Sequence, residues 1–221
     1  MLVSLSFEKS FSEDVAIMVD VLRASTTITV ALDKFSKVMA VKDKTNAMEL
    51  AKKYDAVLAG EREGAKIEGF DTGNSPVEIK KFHGDCLVLT TSNGTRILEG
   101  MKAKALVGSF INAEAVAKKA LEIAENHIEI VMAGVNGKFA IEDFLGAGEI
   151  ISNLTDYKLD EMALSAYMAS RNENMVNKAV KNSDSALKLK KLGYSEDITF
   201  CINKNLYSTV PLYQNGIIKK L

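Results

Sequence analysis

The sequence predicts an α/β protein, three layers deep (α/β/α), around a mostly parallel, mixed central sheet. Two observations carry that expectation. Short apolar runs alternate with longer segments of helical period along most of the chain. No low-complexity linker divides the alternation, so residues 1–221 are expected to form a single domain. Strands separated by helices favour parallel pairing, with both faces of the sheet covered.

Taken in order, "VAIMVD" (15–20) reads as a buried strand. "TTITVALDKF" (26–35) reads as a helix, against the preference of its β-branched residues. "KVMAV" (37–41) and "AVLAG" (56–60) are strands flanking the helical "TNAMELAKKY" (45–54). Residues 60–75, "GEREGAKIEGFDTGNS", are glycine-rich and aperiodic, and long ordered loops of this kind often carry function. Ser75 and Pro76 suit the cap and first position of a short helix. "CLVLTT" (86–91) is a strand, and "NGTRILEGMK" begins a helix. "ALVGS" (105–109) is a strand before the most amphipathic helix, "NAEAVAKKALEIAEN" (112–126). "IEIVMAG" (128–134) is a strand, "VNGKF" a turn, and residues 140–154 a helix. Residues 159–192 read as a mainly helical cover segment. "DITFCIN" (197–203) and "STVPLY" (208–213) read as late edge strands, an edge being where Pro211 is tolerated.

Composition excludes several classes. A net charge of −1 argues against a nucleic-acid partner. No apolar run approaches membrane-spanning length, and the N-terminus reaches acidic residues too early for a secretory signal, so a cytoplasmic location is expected. Cys86 and Cys201 sit in apolar runs and read as buried small hydrophobes. Neither is followed six residues later by Arg, since Ser92 and Tyr207 stand there, which excludes a cysteine phosphatase. Phe82 before His83 breaks the Arg-His-Gly of phosphohistidine enzymes, and both histidines, His83 and His127, are expected at the surface. Homo-oligomerisation is left open.

In open α/β sheets, ligands gather beyond the carboxyl ends of the strands, where helix N-termini also point. Four predicted strand ends carry unusual chemistry. The first is "DVLRAST": Asp20, Arg23, and Ser25 and Thr26 at a helix start, which suit an anion or form a cap beside a surface ion pair. The second is "TTSNGTR", with Asn93, Gly94, Thr95 and Arg96; it is not a Walker loop. The third is Glu61 and Arg62, with Asp71 and Asn74 further along the same loop; carboxylates with amide oxygens suit a hard cation such as Mg²⁺. The fourth is "AGVNGKFAIED", which places Glu142 and Asp143 in a first helical turn. The chain uses only four arginines, and Arg23, Arg62 and Arg96 fall in these stretches, where a planar fork serves oxyanions. Acids for a metal together with cations for an anion are the equipment of phosphoryl transfer or hydrolysis.

The motifs "VDVLRASTTI", "AGEREG…GFDTGNSP", "TTSNGTR", "GSFINA", "AGVNGKFAIED" and "DITFC" resemble, in that order, those of the 2-phosphosulfolactate phosphatase family, over about residues 15–213. Departures are small: "GEREGA" where the family tends toward Gly-Glu-Arg-Gly-Gly, Ser92 for Thr, and Met132 for Cys. The resemblance implies a Mg²⁺-dependent phosphatase converting (2R)-2-phospho-3-sulfolactate to 3-sulfolactate and phosphate, a step of coenzyme M biosynthesis in methanogens. The substrate is then a small phospho-sulfonate anion. On this basis Asp20, Glu61, Glu142 and Asp143 are the expected metal ligands. Arg23, Ser25, Thr26, Arg62, Asn74, Asn93, Gly94, Thr95 and Arg96 are the expected substrate contacts. Asp20, Glu61 and Asp143 are the acids expected in catalysis, Asp20 or Asp143 as base or nucleophile. Leu22 stands where the Asp-x-Asp of aspartyl-phosphate enzymes needs its second acid, which favours direct attack by water. The alternatives are a non-catalytic sensor of a phosphorylated or sulfonated metabolite, and a phosphatase for another small 2-phospho acid.

Overall fold

A computed structural model describes residues 1–221. Its strands are β1 (Leu2–Phe7), β2 (Val15–Val19), β3 (Phe35–Ala40), β4 (Val57–Arg62), β5 (Ala65–Lys66), β6 (Gly84–Thr90), β7 (Lys104–Gly108), β8 (His127–Met132), β9 (Lys158–Leu159), β10 (Pro211–Gln214) and β11 (Ile217–Lys220). Its helices are α1 (Ala24–Ala31), α2 (Lys44–Tyr54), α3 (Gly94–Glu99), α4 (Ala113–Ile123), α5 (Ile141–Ile151), α6 (Glu161–Ser170), α7 (Glu173–Lys181), α8 (Asp184–Lys191) and α9 (Ser195–Cys201). No helix is long and apolar enough to cross a membrane.

All eleven strands join one sheet, ordered β5-β4-β6-β3-β11-β10-β7-β2-β8-β1-β9. It contains two parallel groups, β4-β6-β3 and β7-β2-β8-β1-β9. The C-terminal hairpin β10–β11 lies between them, and its three successive pairings, β3 to β11, β11 to β10 and β10 to β7, are all antiparallel. Three reversals leave the two parallel groups running in opposite senses. The right-handed twist compensates: five interstrand steps from β6 to β2, at roughly 20–25° each, rotate the strand direction by about 100–125°. The ends of β2, β4 and β6 line one cavity.

Burial alternates along β2 as the pleat requires. Val15, Ile17 and Val19 face a core shared with α4, α5, α6 and α7, while Ala16 and Met18 face the opposite core with α1 and α3. This second core also takes in Leu87 and Leu89 of β6, so the two parallel groups meet across α1. A smaller core packs α2 on β4 and β6. Helices therefore cover both faces, as the strand–helix alternation predicts.

Every residue of α1 is buried. A helix enclosed on all sides must satisfy its polar groups internally. Its hydroxyls do so: Thr26 donates to the Val21 carbonyl (3.0 Å), Thr29 to that of Ser25 (2.8 Å), and Thr27 to that of Asn74 (3.3 Å). Packing overrides the weak helix propensity of the β-branched residues.

Two expectations are corrected. Residues 197–203 do not form an edge strand: Ser195–Cys201 is a helix, with Asp197, Ile198 and Cys201 buried at helical spacing and two acids in its first turn. Residues 208–213 do not lie at an edge either. Strand β10 starts at Pro211 and lies mid-sheet. Proline is accommodated as the strand's first residue, and pairing with β7 uses Leu212 and Tyr213 instead. Strand β1, where buried Val3 and Leu5 alternate with serines, adds a strand that the sequence reading did not assign.

Candidate active site

A cavity of about 510 Å³ opens where β2, β4 and β6 end, and Asp20, Arg23, Glu61, Asn74, Asn93 and Glu142 are among its lining residues. The first turn of α8, whose N-cap is Ser183, and the loop before α5 form the facing walls.

Asp20 follows β2 directly. Its Oδ1 accepts the Ala24 N–H (3.2 Å), and its own N–H donates to Ser25 Oγ (2.8 Å). The Gly94 N–H also binds its carboxylate. A Cβ at Gly94 would stand 3.0 Å from Ala24 Cβ and 3.1 Å from Asp20 Oδ2, so the absent side chain lets α3 approach this closely. Burial, reinforced by the charges of Glu61 and Glu142, pushes the Asp20 carboxyl up to about 7.

Glu61, in β4, receives the Gly64 N–H on Oε2 (2.6 Å) and the Ser92 N–H on Oε1 (2.8 Å), joining two loops of the cavity. Glu142 is buried in the first turn of α5, and its Oε2 has no protein partner. The same holds for Asn74 Oδ1. Buried oxygens without partners are uncommon and costly, and two of them line this one cavity.

Asp143 is arranged differently. Its Oδ1 accepts the Val21 N–H (2.8 Å) and its Oδ2 that of Gly134 (2.9 Å), bracing the ends of β2 and β8 against α5. It does not line the cavity. Burial, then Asp20 and Glu142, hold its carboxyl well above the ordinary range.

Arg23 contributes a buried guanidinium, ion-paired to Asp197 at 2.7 Å and donating to the Gly64 carbonyl at 2.6 Å. The other two arginines expected here lie elsewhere. Arg62 donates to the carbonyls of Glu61 and Lys42 and to Thr90 Oγ1, tying loops together outside the cavity lining. Arg96 pairs with Glu8 (2.5 Å) and also lies outside it. Ser25 and Thr26 spend their hydroxyls inside the protein, on Met18 and Val21. Thr95 Oγ1 pairs with Thr91 Oγ1 (3.2 Å).

The cavity's remaining cations are Lys138 and Lys188. Lys138 sits in the "AGVNGKFAIED" stretch without being singled out there, and nothing in the sequence distinguishes Lys188 from the other lysines. Asp197 was also missed as a site residue, although it opens the "DITFC" motif; reading that stretch as an edge strand placed it away from the cavity.

Fold and cavity together define an α/β protein with acids and cations gathered in one cavity at the strand ends. A family model described as 2-phosphosulpholactate phosphatase matches residues 2–216. A protein of Methanothermobacter thermautotrophicus named 2-phosphosulfolactate phosphatase is 49% identical, over 99% of this chain and 95% of its own length. One of Methanocaldococcus jannaschii with the same name is 39% identical, covering 91% and 89% of the two chains. A Clostridium acetobutylicum protein, named as a probable 2-phosphosulfolactate phosphatase, is 37% identical over 96% and 94%. The chain belongs to the 2-phosphosulfolactate phosphatase family, and so to the phosphoric monoester hydrolases.

Proposed function

We propose that this protein hydrolyses (2R)-2-phospho-3-sulfolactate to 3-sulfolactate and phosphate, with Mg²⁺ as its resident cation, in the cytoplasm, as a step toward coenzyme M. One observation carries the reading: Asp20, Glu61 and Glu142 share a single cavity with Arg23. The names carried by the relatives support the substrate. Carboxylates facing a polyanion repel it unless a cation lies between them, which favours an enzyme over a sensor.

The donor set suits such a cation. Asp20, Glu61, the free Oε2 of Glu142 and Oδ1 of Asn74 are all oxygens, as hard divalent ions prefer. No three acidic side chains are gathered closely enough to enclose an ion by themselves. Mg²⁺ commonly keeps several waters and takes only one or two carboxylates, so water would complete the shell. When bound there, the ion supplies charge neutralisation at the phosphoryl oxygens and acidifies water. Asp143 does not line the cavity and accepts the N–H groups of Val21 and Gly134, so it holds the loops rather than the ion.

Arg23 binds the phosphoryl oxygens through the part of its fork left free. Lys138 and Lys188 meet the sulfonate and carboxylate. A water attacks phosphorus: its oxygen forms the new P–O bond as the bond from phosphorus to the C2 oxygen breaks. The proton released goes to Asp20, whose carboxylate lines the same cavity. The departing alkoxide takes a proton from water, and the hydroxide so formed recovers the proton held by Asp20, which restores the carboxylate. The N–H of Gly94 is engaged with Asp20 and that of Thr95 faces Thr91 Oγ1, so this segment positions the base.

The test is phosphate release from 2-phosphosulfolactate, 2-phosphoglycerate and 2-phospholactate, with Mg²⁺ or with EDTA. The expected result is highest kcat/KM on the sulfonated substrate, loss with EDTA and recovery with Mg²⁺. Equal turnover of all three removes the substrate assignment, and activity indifferent to EDTA removes the metal. Binding without phosphate release favours the sensor.

A further inference from the structure

We propose that Asp197, on α9, is a positioning residue for this active site: it sets the direction of the Arg23 guanidinium and, through Ser75, the place of Asn74. The inference rests on the reading of Arg23 as the phosphate-binding cation.

The geometry is closed on every side. Asp197 Oδ2 accepts from Arg23 at 2.7 Å, with both side chains only 2% exposed. Asp197 Oδ1 accepts from Ser75 Oγ at 2.6 Å. Ser75 is the neighbour of Asn74, whose carbonyl accepts from Thr27 of α1. The Tyr194 ring lies under the guanidinium, 4.5 Å from ring centroid to Cζ. The guanidinium also donates to the Gly64 carbonyl, and the Gly64 N–H in turn donates to Glu61. One network thus joins four cavity residues, Arg23, Gly64, Asn74 and Glu61, and its anchor, Asp197, is not in the cavity lining.

Stability alone is a poor reason for such a pair. A buried ion pair often contributes no more than apolar residues of similar volume. Apolar surroundings are at hand, since Ile198 and Cys201 of α9 are buried, and Ile198 packs with Ala186 and Leu189 of α8. What the pair supplies is direction. A long, rotatable side chain that belongs to the cavity lining is held by two N–H groups, one on Asp197 and one on the Gly64 carbonyl. The C-terminal helices therefore complete the site as well as covering it.

The experiment compares Asp197→Asn, Asp197→Glu, Ser75→Ala and Arg23→Lys. Its readouts are steady-state hydrolysis of 2-phosphosulfolactate, inhibition by inorganic phosphate, and thermal unfolding. Asp197→Asn is expected to raise both KM and the phosphate inhibition constant about tenfold or more. Asp197→Glu should recover part of that loss, and Ser75→Ala should shift both constants the same way by about threefold. If Asp197→Asn lowers Tm but leaves both constants at wild-type values, the role is structural only and the proposal fails. If Asp197→Asn does not fold, unchanged constants in Ser75→Ala overturn it. Arg23→Lys separates the two layers. Unaltered constants there sink the assignment of Arg23 itself, whereas raised constants there with normal ones in Asp197→Asn sink only the positioning role.

Discussion

Replacing Asp20 by Asn should make the metal-free protein more stable at neutral pH, and the gain should vanish in acid. In the folded protein the Asp20 carboxyl is raised from 3.8 to about 7, by burial first and then by Glu61 and Glu142. In the unfolded chain it returns to about 3.9. Between those values the folded state holds a proton that the unfolded state has released, so stability falls as pH rises through the window. About three pKa units at 1.36 kcal/mol each make the cost about 4 kcal/mol above pH 7, and nothing below pH 4. Other carboxylates, such as Asp14, are lowered and slope the opposite way, so the difference between variant and wild type is the quantity to read. The assay is urea unfolding in EDTA at pH 4.5, 6 and 8. The stability of Asp20→Asn relative to wild type should rise steadily across the series, while phosphatase activity is lost. A relative stability that is flat with pH would refute the reasoning.

Other changes test the remaining parts. Gly94→Ala pushes a methyl to 3.1 Å from Asp20 Oδ2 while improving helix propensity, so activity should fall about tenfold or more with Tm nearly unchanged; an active variant would show that the contact is slack. Gly148→Ala places a Cβ 2.2 Å from the Ala166 carbonyl oxygen where α5 crosses α6, and should cost about 1–3 kcal/mol, read as a lowered Tm with KM intact; a Tm equal to wild type would contradict the close crossing. Lys138→Ala with Lys188→Ala should raise KM for the sulfonated substrate more than for 2-phospholactate, whereas Arg96→Ala, whose partner is Glu8, should leave KM unchanged; the reverse pattern would return Arg96 to the site.

The strand–helix alternation was legible because each element carries its own period. So were the acids at the strand ends, since apolar runs such as "VAIMVD" stop abruptly at a carboxylate. Stretches whose local pattern suits two structures were misread. In "DITFCIN", apolar residues alternate over a few positions as in a strand, and the helical spacing of Ile198 and Cys201 becomes decisive only once α9 packs against its neighbours. The hydroxyls of Ser25 and Thr26 were visible as a cluster at a helix start. That the helix is enclosed on all sides, and so uses those hydroxyls internally, is a fact of packing. The scarcity of arginine pointed to three candidates, but only Arg23 lines the cavity; Arg62 serves the loops and Arg96 the N-terminal segment.

By itself, then, the sequence determined the α/β class and the set of acids and arginines at the strand ends, because periodicity and residue type are local properties. Tertiary structure decided the rest. Two parallel groups of opposite sense are joined through a hairpin from the far end of the chain, and the ends of β2, β4 and β6 nevertheless line one cavity. The ion pair from Arg23 to Asp197 spans 174 positions, a separation that no local pattern encodes.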